Sequence, residues 1–515
     1  MVGSGPGGAI LARKLAAKGR SVVLVEVGPV VRRADYVKEA GYTLSRYFWN
    51  GGLRTTRGNI FMPTMQARCL GGGSVFNSAI CLRTPEFALK RWEYEHGVRG
   101  MTRAELDPHF DEVERFMGVR PVAPEIQGRR NELFRRACEA MGFRADAIVR
   151  NEKGCKGSGE CLTGCPNGAK MSLDLRGVPE VLEGGGRVYT SIEAAELILE
   201  GRGVGANGGN GNGKSGNGHG ATGAGAGTGA ARRGHSVRGI TGWAVEPFTG
   251  RRTHKVRITA RCTVLAAGAL ASPVIMMQSG IRRAPVGANL RFHPGTAVMG
   301  IFDDEVAPWS GATQGYHCLD FLEQGMKFES LWAIESLLAF RFPGMAEDFK
   351  DLLKQYRYMA SWDVFVSGED SAGRIRTLPG ARPDIQYHLG EGDVRRLQEG
   401  MAKLIEMFFA VGARRVLSGV HGMPPQMTDV TGAGLMRQAT LSVSDIPCGS
   451  NHVFGTTAMG EDPERHVIDS SGAAHEVDNL YVCDTGVLPA SPAVNPMLTI
   501  MAIADKMGET LAARY

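Results

Sequence analysis

No stretch of this 515-residue sequence approaches the roughly 20 consecutive apolar residues that a bilayer-spanning helix needs. The longest candidate, around Leu498 to Ala504, is too short and follows Pro496. Long blocks of one charge are also missing. The formal net charge is only +6, and the basic pairs Arg32-Arg33, Arg129-Arg130, Arg135-Arg136, Arg395-Arg396 and Arg414-Arg415 are scattered. They read as solvated surface and give nucleic-acid binding no support. No secretory signal is visible ahead of the first motif, so none is expected. Ten cysteines in so long a chain do not suggest a disulfide scaffold, so a reducing cytoplasm is the default expectation. No internal repeat is visible.

One further absence concerns the start. Residues 3 to 8, GSGPGG, set Gly3, Gly5 and Gly8 at the G-x-G-x-x-G spacing of a dinucleotide-binding turn. Such a turn follows a buried strand, yet only Met1 and Val2 precede it. The expectation is that Met1 is a misassigned start and that the upstream reading frame encodes a short apolar strand. If that frame is closed by a stop, the chain as written is expected to bind its dinucleotide poorly.

What is present begins with that turn. Gly3 permits the tight bend, Gly5 allows a pyrophosphate to approach the backbone, and Gly8 lets the following helix pack closely. The helix N-terminus offers N–H groups and partial positive charge to phosphates. Ile10, Leu11, Leu15 and Ala16 recur at helical spacing, and Gly19 ends the helix. Ser21 to Glu26 then reads as a strand closing on a carboxylate. Glu26 stands about 20 residues on, where an acid accepts from ribose hydroxyls.

Further on, "RVYTSIEAAELILE", "SVRGITGWAVE" and "HKVRITARCTVLAAGAL" are strand-like. Between the first two lies a Gly/Asn/Ala tract with almost nothing to bury, expected to be a disordered, inert insertion over 201–235. "YMASWDVFVSGE" and "PDIQYHL" alternate like strands. "DVRRLQEGMAKLIEMFFAVGA" is an amphipathic helix with Asp393 as N-cap and Gly412 as terminator.

Four more segments carry chemistry: "ARCLGGGSVFNSAI", "GALASPVIMMQSGI", "NHVFGTTAMG" and "NLYVCDTGVLPASPAVNPMLTIMAIADKMGETL". In this order, and together with the N-terminal turn and "VGANLRFHP", they resemble the glucose–methanol–choline (GMC) flavin oxidoreductases over nearly the whole chain. Two positions depart from that pattern. Phe76 stands where a smaller aliphatic residue is usual, and Arg282 where glycine is usual.

The resemblance implies an α/β fold: a discontinuous Rossmann-type FAD-binding domain plus a substrate domain with an antiparallel sheet and helices. The division expected is 1–85, 166–300 and 445–515 for FAD, with 86–165 and 301–444 as cap and substrate domain. It implies FAD, bound covalently or not, and oxidation of an alcohol by hydride transfer to the flavin, with oxygen or a redox acceptor taking the electrons. On matched positions His452 is implied as the active-site base and Asn495 as its partner. A base titrating near neutrality suits removal of a hydroxyl proton. Asn495 can donate to the same oxygen without titrating. Gly71, Gly72, Gly73, Ser74 and Asn77 are implied to approach the flavin, and Asp484 its ribityl or pyrophosphate region. His293, His466 and His475 are expected to be structural.

The apolar residues Phe321, Leu322, Phe328, Leu331, Trp332, Leu337, Leu338 and Phe340 hint at an apolar substrate, a long-chain alcohol or sterol, and would equally serve as core. A lyase or a photodecarboxylase on the same fold are the competing readings. Finally, Cys155, Cys161 and Cys165 form C-x5-C-x3-C-P. They are either ligands of an iron–sulfur cluster, short of the usual four, or thiols pinning a cap loop.

Overall fold

The computed structural model describes residues 1–201, 234–331 and 342–515. The glycine-rich tract and the expected apolar positions Trp332, Leu337, Leu338 and Phe340 therefore lie outside the described residues.

The first helix spans Pro6–Ala17, with Gly5 as its N-cap and no side-chain cap. It is followed by the strand Val23–Val25. That strand pairs in parallel with Arg187–Tyr189, and Thr263–Leu265 pairs in parallel with Leu480–Val482. Val2 joins the two pairs, bridging Val25 on one side and Leu265 on the other, both in parallel. Its N–H donates to Val264 O at 2.9 Å, and Ala266 N–H donates to Val2 O at 2.7 Å. Met1 and Val2 thus occupy the centre of a parallel sheet. The Met1 ammonium, donating to Val23 O at 2.8 Å, is lowered to about 6 by burial.

Helix Met497–Arg514 packs against the first helix and is buried from Met497 through Asp505. An apolar stretch enclosed on every side is what an interior helix requires. Asp505, at 1% exposure, is held by Lys14 at 3.0 Å and His109 at 2.8 Å. Beside this core Ile192–Gly201, His235–Val245 and Arg252–Thr259 form an antiparallel meander.

The second large sheet has six strands in the order Arg415–Leu417, Gly295–Ile301, Met359–Val366, Met326–Leu331, Tyr316–Cys318 and Asp146–Ala147, every pair antiparallel. Alternation along the strands explains its two faces. Phe328, Trp362, Val364 and Val298 enter the core on one side, where Trp362 stacks on Phe408 of helix Glu391–Ala410 at 3.7 Å. Lys327, Glu329, Asp363 and Phe365 alternate with them and project from the opposite face, Lys327 in register with Phe365 and Glu329 with Asp363.

Asp393 is not the N-cap of helix Glu391–Ala410; Gly390 is. The Asp393 carboxylate lies in the first turn, where it accepts from Ser371 Oγ and Asp370 N and pairs with Arg396. The Phe76 departure also has a local reason. Its ring fills an aromatic cluster, 5.7 Å from Tyr47 and 5.3 Å from Phe48. Among the described residues no helix is long and apolar enough to cross a membrane.

Candidate active site

The glycines of the opening turn have separate tasks. A Cβ on Gly3, at φ +100°, would sit 2.2 Å from Ala266 O, and one on Gly8 would sit 2.0 Å from Gly3 O. Both positions are forced by packing. Gly7 belongs with them, since its Cβ would meet Cys483 O at 1.9 Å; the G-x-G-x-x-G spacing gave no hint of that. Gly5 faces open space with nothing within 4 Å. So does Gly73, while a Cβ on Gly72 would lie 2.8 Å from Gly5 Cα. The two glycine segments therefore abut and leave a bare backbone cradle at the N-terminus of the first helix. This cradle fits the pyrophosphate of a dinucleotide.

Glu26 is buried at the end of its strand, accepting from Ser4 N at 3.0 Å, Ser4 Oγ at 2.7 Å and Gly28 N at 2.9 Å. Burial pushes its carboxyl above the usual range, and the three donors oppose this. Gly71 N donates to the same Ser4 hydroxyl at 3.0 Å, tying the triple glycine to the turn. Ser74 is spent inside the loop, donating to Gly71 O and accepting from Leu173 N. Asn77 lies against Met497 Sδ at 2.9 Å and accepts from Ala79 N on its own Oδ1. Asp484 Oδ2 accepts from Gly268 N and Ser272 Oγ, clamping the loop after strand Thr263–Leu265, while its Oδ1 accepts from Gly486 N and caps its own turn.

His452 and Asn495 come together across 43 residues of sequence, Asn495 Nδ2 lying 3.4 Å from His452 Nε2. His293 joins them. The pairing of Arg291–Phe292 with Val453–Phe454 sets Phe292 opposite Val453, which brings the next residues, His293 and His452, face to face. Their Nδ1 atoms are 3.2 Å apart, and His293 Nε2 is 2.8 Å from Ser491 Oγ. Phe365 stacks on His293 at 5.0 Å and meets His452 edge-on at 5.6 Å. Lys327, wholly buried, donates to Asn495 Oδ1 at 2.7 Å and pairs with Glu329, which accepts from Gln314 at 2.7 Å. Burial, then the Lys327 charge, lowers His452 to about 3. His293 is driven well below its usual value by burial, His452 and Lys327. Both imidazoles are therefore neutral at ordinary pH.

His293 was expected to be structural, and sequence reasoning passed over Lys327 and Glu329 altogether. A charged pair at i and i+2 inside a segment read only for its apolar residues was the available signal for the last two. His466 and His475 lie apart from this group. His466 Nε2 meets His96 Nδ1 at 3.1 Å, and His475 meets Gly460 O at 2.9 Å.

The iron–sulfur expectation is not supported. Cys155, Cys161 and Cys165 line one small cavity with Arg150, Glu152 and Lys170, but their sulfurs do not converge as a ligand set. Cys161 Sγ accepts from Arg150 Nη2 at 3.0 Å, while Cys155 and Cys165 accept from Gly157 N and Ala169 N. Lys170 carries this loop to the cofactor side, donating to Asn77 O at 2.8 Å and Cys161 O at 2.8 Å. A separate open groove of about 1170 Å³ lies between the meander and the hairpin turn at Thr377 to Ala381, and none of these site residues lines it.

Comparison with known proteins identifies the family of the chain. Residues 45–295 match the N-terminal GMC oxidoreductase family model and residues 369–504 the C-terminal one. An uncharacterized GMC-type oxidoreductase of Mycobacterium tuberculosis is 29% identical, over all of this chain and 75% of that one. A long-chain-alcohol oxidase of Arabidopsis thaliana is 26% identical over 98% of this chain, which spans 66% of that relative. Among solved structures, pyridoxine 4-oxidase from Mesorbium loti aligns with a TM-score of 0.71 at 17% identity, covering 100% and 99% of the two chains. Aspergillus oryzae formate oxidase aligns at 0.72 and 16%, covering 100% and 97%. The chain belongs to the GMC oxidoreductase family and is an FAD-dependent oxidoreductase.

Proposed function

We propose that this protein oxidises the CH–OH group of an apolar alcohol, with His452 as the base and Asn495 as the donor that orients the substrate oxygen. The observation that carries the proposal is the convergence of His452, Asn495 and His293 at the start of helix Met497–Arg514. Asn77, two residues before the bend at Ala79, lies against that helix's first residue. Bound FAD supplies the acceptor for the hydride, and the bare glycine cradle and Glu26 are the residues that would hold it.

The Asn495–His452 separation of 3.4 Å is long for a hydrogen bond. A hydroxyl oxygen entering there would accept from Asn495 Nδ2–H and donate its proton to His452 Nε2. A neutral imidazole is the form that can take it, and burial with Lys327 keeps His452 neutral by lowering it to about 3, below the near-neutral titration expected from the sequence. Phe365 and the patch of Ile80, Leu82, Ile148 and Val494 make the surroundings apolar, which favours a neutral, hydrophobic substrate; the long-chain-alcohol oxidase relative points the same way. Phe321 and Phe328 instead pack on each other at 5.4 Å as ordinary core.

The domain division is proposed as expected from the sequence, although strand Arg57–Gly58 of the FAD part pairs with Arg382–His388 of the substrate part. One boundary moves from 300 to 294, because strand Gly295–Ile301 belongs to the six-stranded sheet. Oxygen or a redox acceptor is proposed to accept the electrons. A cytoplasmic location is proposed on the cysteine usage, ten in 515 residues with no spacing of a disulfide scaffold. The test is anaerobic addition of an alcohol panel to purified holoprotein. Bleaching of the flavin by long-chain or sterol alcohols is expected, and no bleaching by any alcohol would leave the lyase or photodecarboxylase reading.

A further inference from the structure

We infer that Lys327 is a positioning residue: by donating to Asn495 Oδ1 it compels the amide to present Nδ2–H toward His452, and so decides which His452 nitrogen is the base. This rests on the reading of His452 and Asn495 given above. An asparagine amide can flip, and its two ends have opposite hydrogen-bonding character. With an ammonium 2.7 Å from one end, only the oxygen is acceptable there. The flipped amide would set NH2 against NH3⁺.

The consequence runs along the chain of contacts. Asn495 Nδ2–H faces His452 Nε2, which must then carry a lone pair. The His452 proton therefore sits on Nδ1 and is donated to His293 Nδ1. His293 in turn carries its proton on Nε2 and donates to Ser491 Oγ, which also accepts from Ala493 N. Every donor points away from Lys327, and each tautomer follows from the one before. Directional chains of this kind strengthen along their length. The same ammonium adds its charge to the environment of both imidazoles.

Lys327 is itself anchored. Glu329 on the same strand face takes it as an ion pair, Gln314 holds the other Glu329 oxygen, and the Phe365 ring centroid lies 5.2 Å from Nζ. The other titratable groups around this chain lie on the two strands that flank Glu329, His317 opposite it on one side and Asp363 opposite it on the other.

Removing Lys327 alone would strand the Glu329 carboxylate in the interior, so the informative variant is Lys327→Met with Glu329→Gln, compared with Glu329→Gln alone. The readout is imidazole 15N NMR of FAD-loaded protein without substrate, with the His452 signals identified by their loss in His452→Gln. Expected in the wild type is a neutral His452 protonated on Nδ1 at pH 5 to 8, unchanged in Glu329→Gln. In the double variant the Nδ1–H preference is lost and protonation appears at higher pH. The acid limb of kcat/KM moves the same way, with kcat falling ten- to hundredfold and KM changing little. An unchanged tautomer and titration in the folded, flavin-loaded double variant overturns the inference. Failure of the functional proposal is seen separately, as absence of bleaching by alcohols in the wild type.

Discussion

His293 Nδ1 stands 3.2 Å from His452 Nδ1, the two rings nearly perpendicular at 89°. A second imidazole behind the proposed base allows His452 to keep one fixed tautomer. When His452 accepts a proton on Nε2, its Nδ1–H can remain shared with His293. Replacing His452 by Gln is expected to lower the rate of flavin reduction by about 10²- to 10⁴-fold, the usual contribution of a positioned base. His293→Asn, which keeps a polar group behind His452, should cost less. Stopped-flow reduction kinetics on variants whose flavin absorbance matches the wild type check both. Equal losses in both would mean that the two rings share the proton-accepting task.

The glycines of the opening turn should fail differently. Gly3→Ala forces a Cβ against Ala266 O at positive φ, and is expected to lower the stability of the apoprotein. Clash and strain together cost on the order of 1–3 kcal/mol or more. Gly5→Val projects into open space, so the apoprotein should keep its Tm while FAD affinity falls at least tenfold. Thermal melts of apoprotein and FAD titration separate the two effects. A destabilised Gly5→Val apoprotein would contradict the open cradle.

Stability should fall with acid before the carboxylates titrate. His452 is lowered from 6.5 to about 3, and His293 is lowered strongly in the same direction. The unfolded chain therefore binds protons first as pH drops below about 6.5. Their stabilising contribution is complete above that pH and is lost as pH falls toward 3. The slope approaches about 1.4 kcal/mol per pH unit for each such group. Urea unfolding from pH 7 to 4.5 should show a steeper decline in the wild type than in His452→Gln.

Cys161 is expected to matter as an acceptor and not as an iron ligand. Its sulfur accepts from Nη2 of the buried Arg150 guanidinium, whose Nε and Nη1 have no hydrogen-bond partner, Nη1 lying 3.6 Å from the Glu152 carboxylate. Cys161→Ala should destabilise the protein by about 1–3 kcal/mol, the cost of an orphaned buried polar group, and Cys161→Ser by less. Protein purified anaerobically is expected to contain no stoichiometric iron or acid-labile sulfide. Finding both would restore the cluster.

How far the sequence could be read depended on the range of each interaction. The turn at Gly3 to Gly8, helix Pro6–Ala17 and Glu26 were legible because their spacing is local. The alternation of "YMASWDVFVSGE" announced the strand Met359–Val366 for the same reason. Asp393 was misjudged because its partners, Asp370 and Ser371, come from another loop. His293 read as structural because no local pattern reports the ladder between Phe292 and Val453 that carries it to His452.

The sequence by itself determined the cofactor turn, the helices and strands with clear periodicity, and the pairing of His452 with Asn495 through recognised motifs. Only the tertiary structure decided what surrounds that pair. Antiparallel register put His293 opposite His452, and strand alternation turned Lys327 and Glu329 away from Phe328 and into the site. It also decided that Met1 and Val2 sit between Val25 and Leu265, and that Cys161 meets Arg150 instead of its neighbouring thiols. Periodicity along a chain records which face a residue occupies. What that face meets is set by sheet register and packing across a hundred residues or more, and no local spacing encodes it.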